Sequence, residues 1–109
     1  MSNVYAVAVR WVGAKIEPER VDFVLGPMGD WFRYSGLMWL VETNFSAERI
    51  STAVRSILGP NDSVLVIKVD VMDFYGWAPP QTWNWLQSKR GLAGALLGLP
   101  PYNPNPLGS

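Results

Sequence analysis

The chain has 109 residues, 49% apolar and 17% charged, with nine basic side chains against nine acidic ones and neither cysteine nor histidine. That length suits one compact domain burying roughly 65% of its unfolded surface, which needs no disulfide or metal to fold. Without cysteine and histidine there is no thiol nucleophile, thiolate zinc site, imidazole base or His-ligated metal, and zero net charge removes the global basic field of non-specific nucleic-acid binders.

In chain order, residues 4–12 (VYAVAVRWV) are β-branched and aromatic and predict a first strand. Glu17-Pro18-Glu19 suits the first turn of a helix, in which Val21, Val24 and Leu25 take helical spacing before Gly26-Pro27 stops it. Residues 30–34 and 37–43 are short aromatic and apolar runs around Ser35-Gly36, a hairpin signal. Ser46 is an N-cap with Glu48 in the first turn, and Ile50, Val54, Ile57 and Leu58 form one stripe of a second helix ended by Gly59-Pro60-Asn61-Asp62. Residues 63–71 (SVLVIKVDV) predict the last strand. The order β-α-β-β-α-β is the α+β, ferredoxin-like pattern: a four-stranded antiparallel sheet with both helices on one face.

Beyond Val71 the texture changes. Residues 72–80 predict an ordered loop, 80–88 a short helix opened by Pro80, 91–99 a weak second helix, and the proline-rich 100–109 an extended tail. The expected division is a ferredoxin-like domain over 1–88 and an apolar, then proline-rich, extension over 89–109. The N-terminal run lacks a basic leader, and Leu92 to Leu99 is glycine-broken and too short to span a bilayer, so a cytoplasmic protein without membrane attachment is expected.

The sheet face away from the helices is expected to be covered. One face of the first strand carries Tyr5, Val7, Val9 and Trp11, and the other carries Val4, Ala6, Ala8 and Arg10. The last strand divides into Leu65, Ile67, Val69 and Val71 against Val64, Val66, Lys68 and Asp70. With both faces apolar, a homodimer packed sheet to sheet through Val4, Ala6, Ala8, Val64 and Val66 is predicted, with coverage by the chain's own tryptophan-rich C-terminal segment as the alternative.

Several stretches carry a family resemblance: Gly29-Asp30-Trp31-Phe32-Arg33-Tyr34, Met38-Trp39-Leu40-Val41, Ser46-Ala47-Glu48-Arg49-Ile50, Asp62-Ser63-Val64-Leu65-Val66-Ile67, Gly76-Trp77 and Trp83-Asn84-Trp85-Leu86. Over residues 4–87 the chain resembles the small SinR-like proteins, relatives of the CRISPR adaptation subunit and of VapD-type ribonucleases, which implies a ferredoxin-like fold and dimerisation. In metal-dependent relatives the first strand ends in an aspartate that ligates the metal. That position falls here at Arg10, whose guanidinium repels Mg²⁺ rather than binding it, which argues against a metal-dependent nuclease.

Six tryptophans are the loudest feature. Trp31, Trp39, Trp77, Trp83 and Trp85 are candidate stacking platforms for bases, worth about 1–3 kcal/mol per base; the competing reading makes them core and interface filler. Arg10, Arg33 and Tyr34 are a candidate anion site, against the alternative that either arginine pairs with Asp30, Glu42 or Asp70. Asp70 and Asp73, three apart at a strand end with Asp62 elsewhere, could share a hard cation or do acid–base work, but nothing supplies a third ligand at a recognisable spacing, and strand-end aspartates usually form turns. Leu99-Pro100-Pro101-Tyr102 has the look of a proline-rich ligand. These features predict a non-catalytic, homodimeric binding protein without metal or cofactor, taking nucleic acid or a nucleotide through Arg10, Trp31, Arg33, Tyr34, Trp77 and Trp83. The alternative is a protein–protein interaction module, such as a toxin–antitoxin partner or a phage-encoded inhibitor of a host defence complex. A metal-dependent nuclease ranks third.

Overall fold

Alternation of β-branched and aromatic side chains lays down four strands, and two single-striped helices cover one side of them. The computed structural model describes residues 2–13 and 15–97, the last seven by backbone alone. Its elements are β1 (Asn3–Arg10), α1 (Pro18–Leu25), a single 3₁₀ turn (Gly26–Met28), β2 (Gly29–Ser35), β3 (Met38–Thr43), α2 (Ala47–Arg55), β4 (Ser63–Val69) and α3 (Pro80–Leu97). The sheet runs β2-β3-β1-β4 with every neighbour antiparallel, so the chain has the α+β, ferredoxin-like arrangement that the element order predicted.

Local chemistry sets the element ends. α1 opens with Pro18 in its first turn and Glu19 beside the helix N-terminus. Ser46 Oγ accepts from the Arg49 N–H at 3.1 Å to cap α2. α2 ends at Arg55, three residues before the predicted stripe does. Ile57 and Leu58 continue as tight turns, their N–H groups bonding the Val54 and Arg55 carbonyls, and still pack on the core. β1 stops at Arg10 rather than at residue 12, because Trp11 Nε1 donates to the Gly36 carbonyl at 2.7 Å and the Val12 N–H donates to Asp62. β4 stops at Val69 rather than Val71: Asp70 Oδ1 accepts from the Met72 N–H at 2.8 Å and starts a turn.

The core lies between the sheet and α1 and α2. Trp39, Leu25, Ile50, Val7, Val21, Val41 and Val54 are fully buried there. Tyr5 and Val9 complete the cluster, and Val64 and Val66 pack against it. This corrects the predicted interface set. Val64 pairs with Val9 and Val66 with Val7, on the helix-covered face, whereas Val4, Ala6 and Ala8 face the other way, beside Val69, Ile67 and Leu65. One contiguous surface cannot contain all five.

The chain forms two compact units, Met1–Val69 and Asp70–Ser109. The first holds the entire sheet with α1 and α2. In the second, a turn and loop lead into α3, one continuous helix of 18 residues where two separate ones were expected. The expected boundary at 88/89 falls inside that helix. The proline-rich segment, with Leu99-Pro100-Pro101-Tyr102, lies outside the described residues.

Candidate interaction surface

Arg33 sits on β2 opposite Trp39 of β3, which pairs in turn with Val7 of β1, and so it belongs to the helix-covered face. Its guanidinium lies against α1, with Nη1 3.8 Å from Glu19 Oε1 and Nε 3.7 Å from Asp22 Oδ2. Glu19 and Asp22 are three apart and so share a helix side. The second oxygen of Asp22 accepts from Trp39 Nε1 at 2.7 Å. Arg33 thus ties β2 to α1, and its partners are Glu19 and Asp22 rather than Asp30, Glu42 or Asp70.

Arg10 ends β1 opposite Ser63, exposed, on the face it shares with Val4, Ala6 and Ala8. Arg10 and Arg33 therefore point to opposite sides of the sheet, and the predicted two-guanidinium anion site is not formed. Tyr34 falls in a bulge, where the pairing with β3 shifts between Arg33 and Ser35, and is 46% exposed. Trp31 is half-buried against the core. Among the sheet residues of the predicted site, Arg10, Arg33 and Tyr34 are exposed; Arg33 is engaged by Glu19 and Asp22, and Arg10 and Tyr34 belong to different strands with β3 between them.

In the second unit, Trp83 stacks on Phe74 with ring centroids 5.9 Å apart and donates to the Ala78 carbonyl at 3.0 Å. It braces the loop onto α3. Trp85 carries the Lys89 ammonium 4.9 Å above its ring. Tyr75 and Trp77, two apart in the loop, are 78% and 79% exposed. Trp77 is thus the predicted stacking residue that remains accessible, and Tyr75 beside it went unremarked in the sequence.

The carboxylates of Asp62 and Asp70 are occupied with backbone. Asp62 accepts from the Val12 N–H at 2.7 Å and from the Gly59 N–H at 2.9 Å, and these two bonds hold its carboxyl below the ordinary aspartate value. Asp70 closes its turn, with Asp73 N–H donating to the Asp70 carbonyl. No group of three or more acidic, His or Cys side chains converges among the described residues, and no helix there is long and apolar enough to cross a membrane.

The face away from α1 and α2 has an apolar feature at the β4 edge. Leu65 and Ile67 are 60% and 54% exposed. Their β1 neighbours are Ala8 and Ala6, so two branched side chains rise beside a strip of methyl groups. The sequence supplies the apolar residues Leu65, Ile67 and Val69 at every second position, but Val64 and Val66 between them are apolar too. Their placement depends on the β1–β4 register, which joins Leu65, Ile67 and Val69 to the alanines rather than to Tyr5, Val7 and Val9.

Comparisons with protein-family models, with curated proteins and with solved structures find no significant match for this chain.

Proposed function

We propose that the chain is a non-catalytic, cytoplasmic, homodimeric binding protein whose partner is another protein, engaged through the apolar strip of Leu65 and Ile67 beside Ala6 and Ala8. The observation that carries this reading is the exposure of both branched side chains on one edge strand. Apolar ridges rimmed by polar groups such as Arg10 and Ser63 are what protein partners cover. The separation of Arg10 from Arg33 weighs against the anion site on which nucleotide binding depended, and an arginine at the end of β1 weighs against a metal-dependent nuclease.

A second reading keeps nucleic acid or a nucleotide as the ligand. Tyr75 and Trp77 favour it, because two exposed aromatics on an extended loop suit stacking on unpaired bases.

A photo-crosslinking amino acid at position 67, in cells that make the protein, is expected to give a discrete adduct with a second protein that the same probe at exposed Glu48 does not give. The reading is overturned if position 67 gives no adduct while a labelled single-stranded oligonucleotide binds with steep salt dependence and is released by Trp77→Ala.

A further inference from the structure

The two edges of the sheet are unequal. On β2 a bulge breaks the pairing at Tyr34, and Asp30 and Arg33 place opposite charges along the strand. Bulges and charges are the devices that keep an edge from pairing with another chain. β4 has neither a bulge nor a proline. Its seven residues pair with β1 without a register shift, its one charge is Lys68, and among the described residues no strand pairs with its outer side.

We propose that β4 pairs with β4 of a second copy, antiparallel across a two-fold axis that runs between the Val66 residues of the two copies, perpendicular to the sheet, joining both sheets into one. The register follows from the strand itself. Val66 is the midpoint of Ser63–Val69, so centring there pairs every residue of the strand, and sliding either way leaves residues without partners. In this register Leu65 lies opposite Ile67 of the second copy, and Lys68 lies opposite Val64, so the two lysines never face each other. An axis perpendicular to the sheet keeps side chains of equal parity on one face. Leu65 and Ile67 of both copies then form a single apolar cluster flanked on each side by Ala6 and Ala8. This inference rests on the proposed homodimer and names its contact. It also doubles the strip offered to a protein partner while leaving it uncovered. Pairing through one strand edge buries less than a standard interface, so the dimer dissociates on dilution.

Sedimentation velocity across a dilution series, combined with amide hydrogen exchange at both ends of it, tests the contact. The expected result is a concentration-dependent dimer in which outward-facing amides of residues 63–69 exchange about tenfold more slowly than in the monomer, since they gain partners. Ile67→Lys, a substitution at an exposed position whose fold is checked by circular dichroism, abolishes both effects, and Leu65→Lys serves the same purpose if that variant fails to fold. A monomer at every concentration overturns the inference together with the proposed homodimer. A dimer whose 63–69 amides gain no protection overturns the edge contact alone and leaves the homodimer standing.

Discussion

Trp39 and Asp22 are joined by a 2.7 Å hydrogen bond from the indole Nε1 to one carboxylate oxygen, while the other oxygen faces Arg33. One side chain of α1 thereby satisfies a fully buried indole and orients an edge-strand guanidinium. Asp22→Ala leaves the Trp39 N–H without its acceptor, at a cost of about 1–3 kcal/mol. Asp22→Asn keeps an acceptor and loses only a half-exposed ion pair, which costs up to about 1 kcal/mol. Urea unfolding of the two variants is expected to rank them in that order. Equal losses would mean that the ion pair, not the indole, is what Asp22 serves.

Asp62 links the chain after β1 to the turn before β4, through the N–H groups of Val12 and Gly59. Its pKa is depressed in the folded protein from an ordinary value of 3.8. A depressed carboxyl stabilises the fold above its unfolded pKa, and that contribution fades as pH falls through 3.8 and on through the lower folded value. Stability of the native chain should therefore drop more between pH 7 and pH 3 than that of Asp62→Asn, whose side chain does not titrate. Chemical denaturation at the two pH values measures the difference.

Gly29 opens β2 where the strand passes close to β3. A Cβ there would collide with the Glu42 backbone carbonyl and sit 3.4 Å from the Thr43 Cα. The obstacle is backbone, which cannot rotate away as a side chain can. Gly29→Ala is expected to cost about 1–3 kcal/mol, a penalty typical of overpacking, read as a lowered midpoint of thermal unfolding. Gly13→Ala is the contrasting control. Open space surrounds Gly13, whose φ of 115° disfavours any side chain on conformational grounds alone.

Ser46→Ala removes the acceptor for the Arg49 N–H and should destabilise the protein by about 1 kcal/mol, whereas Ser46→Asp restores the cap and adds a favourable charge at the helix N-terminus. Denaturant midpoints at constant slope test both variants.

Those elements whose apolar pattern has one period were legible in the sequence. Ile50 and Val54 fix the buried side of α2, and Val21 and Leu25 that of α1. Ser35-Gly36 marks the hairpin between β2 and β3. The faces of β4 were harder to match to those of β1. Residues 64–67 are apolar without interruption, so no alternation distinguishes the covered side from the open one, and Val64 and Val66 were assigned beside the wrong neighbours. Arg33 was misread for a related reason, since its partners come from α1, and which helix lies over which strand is a property of the packed layers. Residues 80–88 and 91–99 were read as separate helices, whereas α3 runs through Gly91 and Gly94; one glycine costs a helix about 1 kcal/mol and need not end it.

The central position of β1 sets the order in which the molecule can assemble. Val4 pairs with Glu42 on one side and Val69 on the other, so β1 waits for two partners that both follow it in the chain, β3 and then β4. Contacts this distant in sequence close slowly. During synthesis β1 must stay unsheltered until β4 has left the ribosome, and a chain halted in the loop before Ser63 would present β1 with one side unpaired. That open side of β1 is where a chaperone, or an aggregating neighbour, can engage the incomplete sheet.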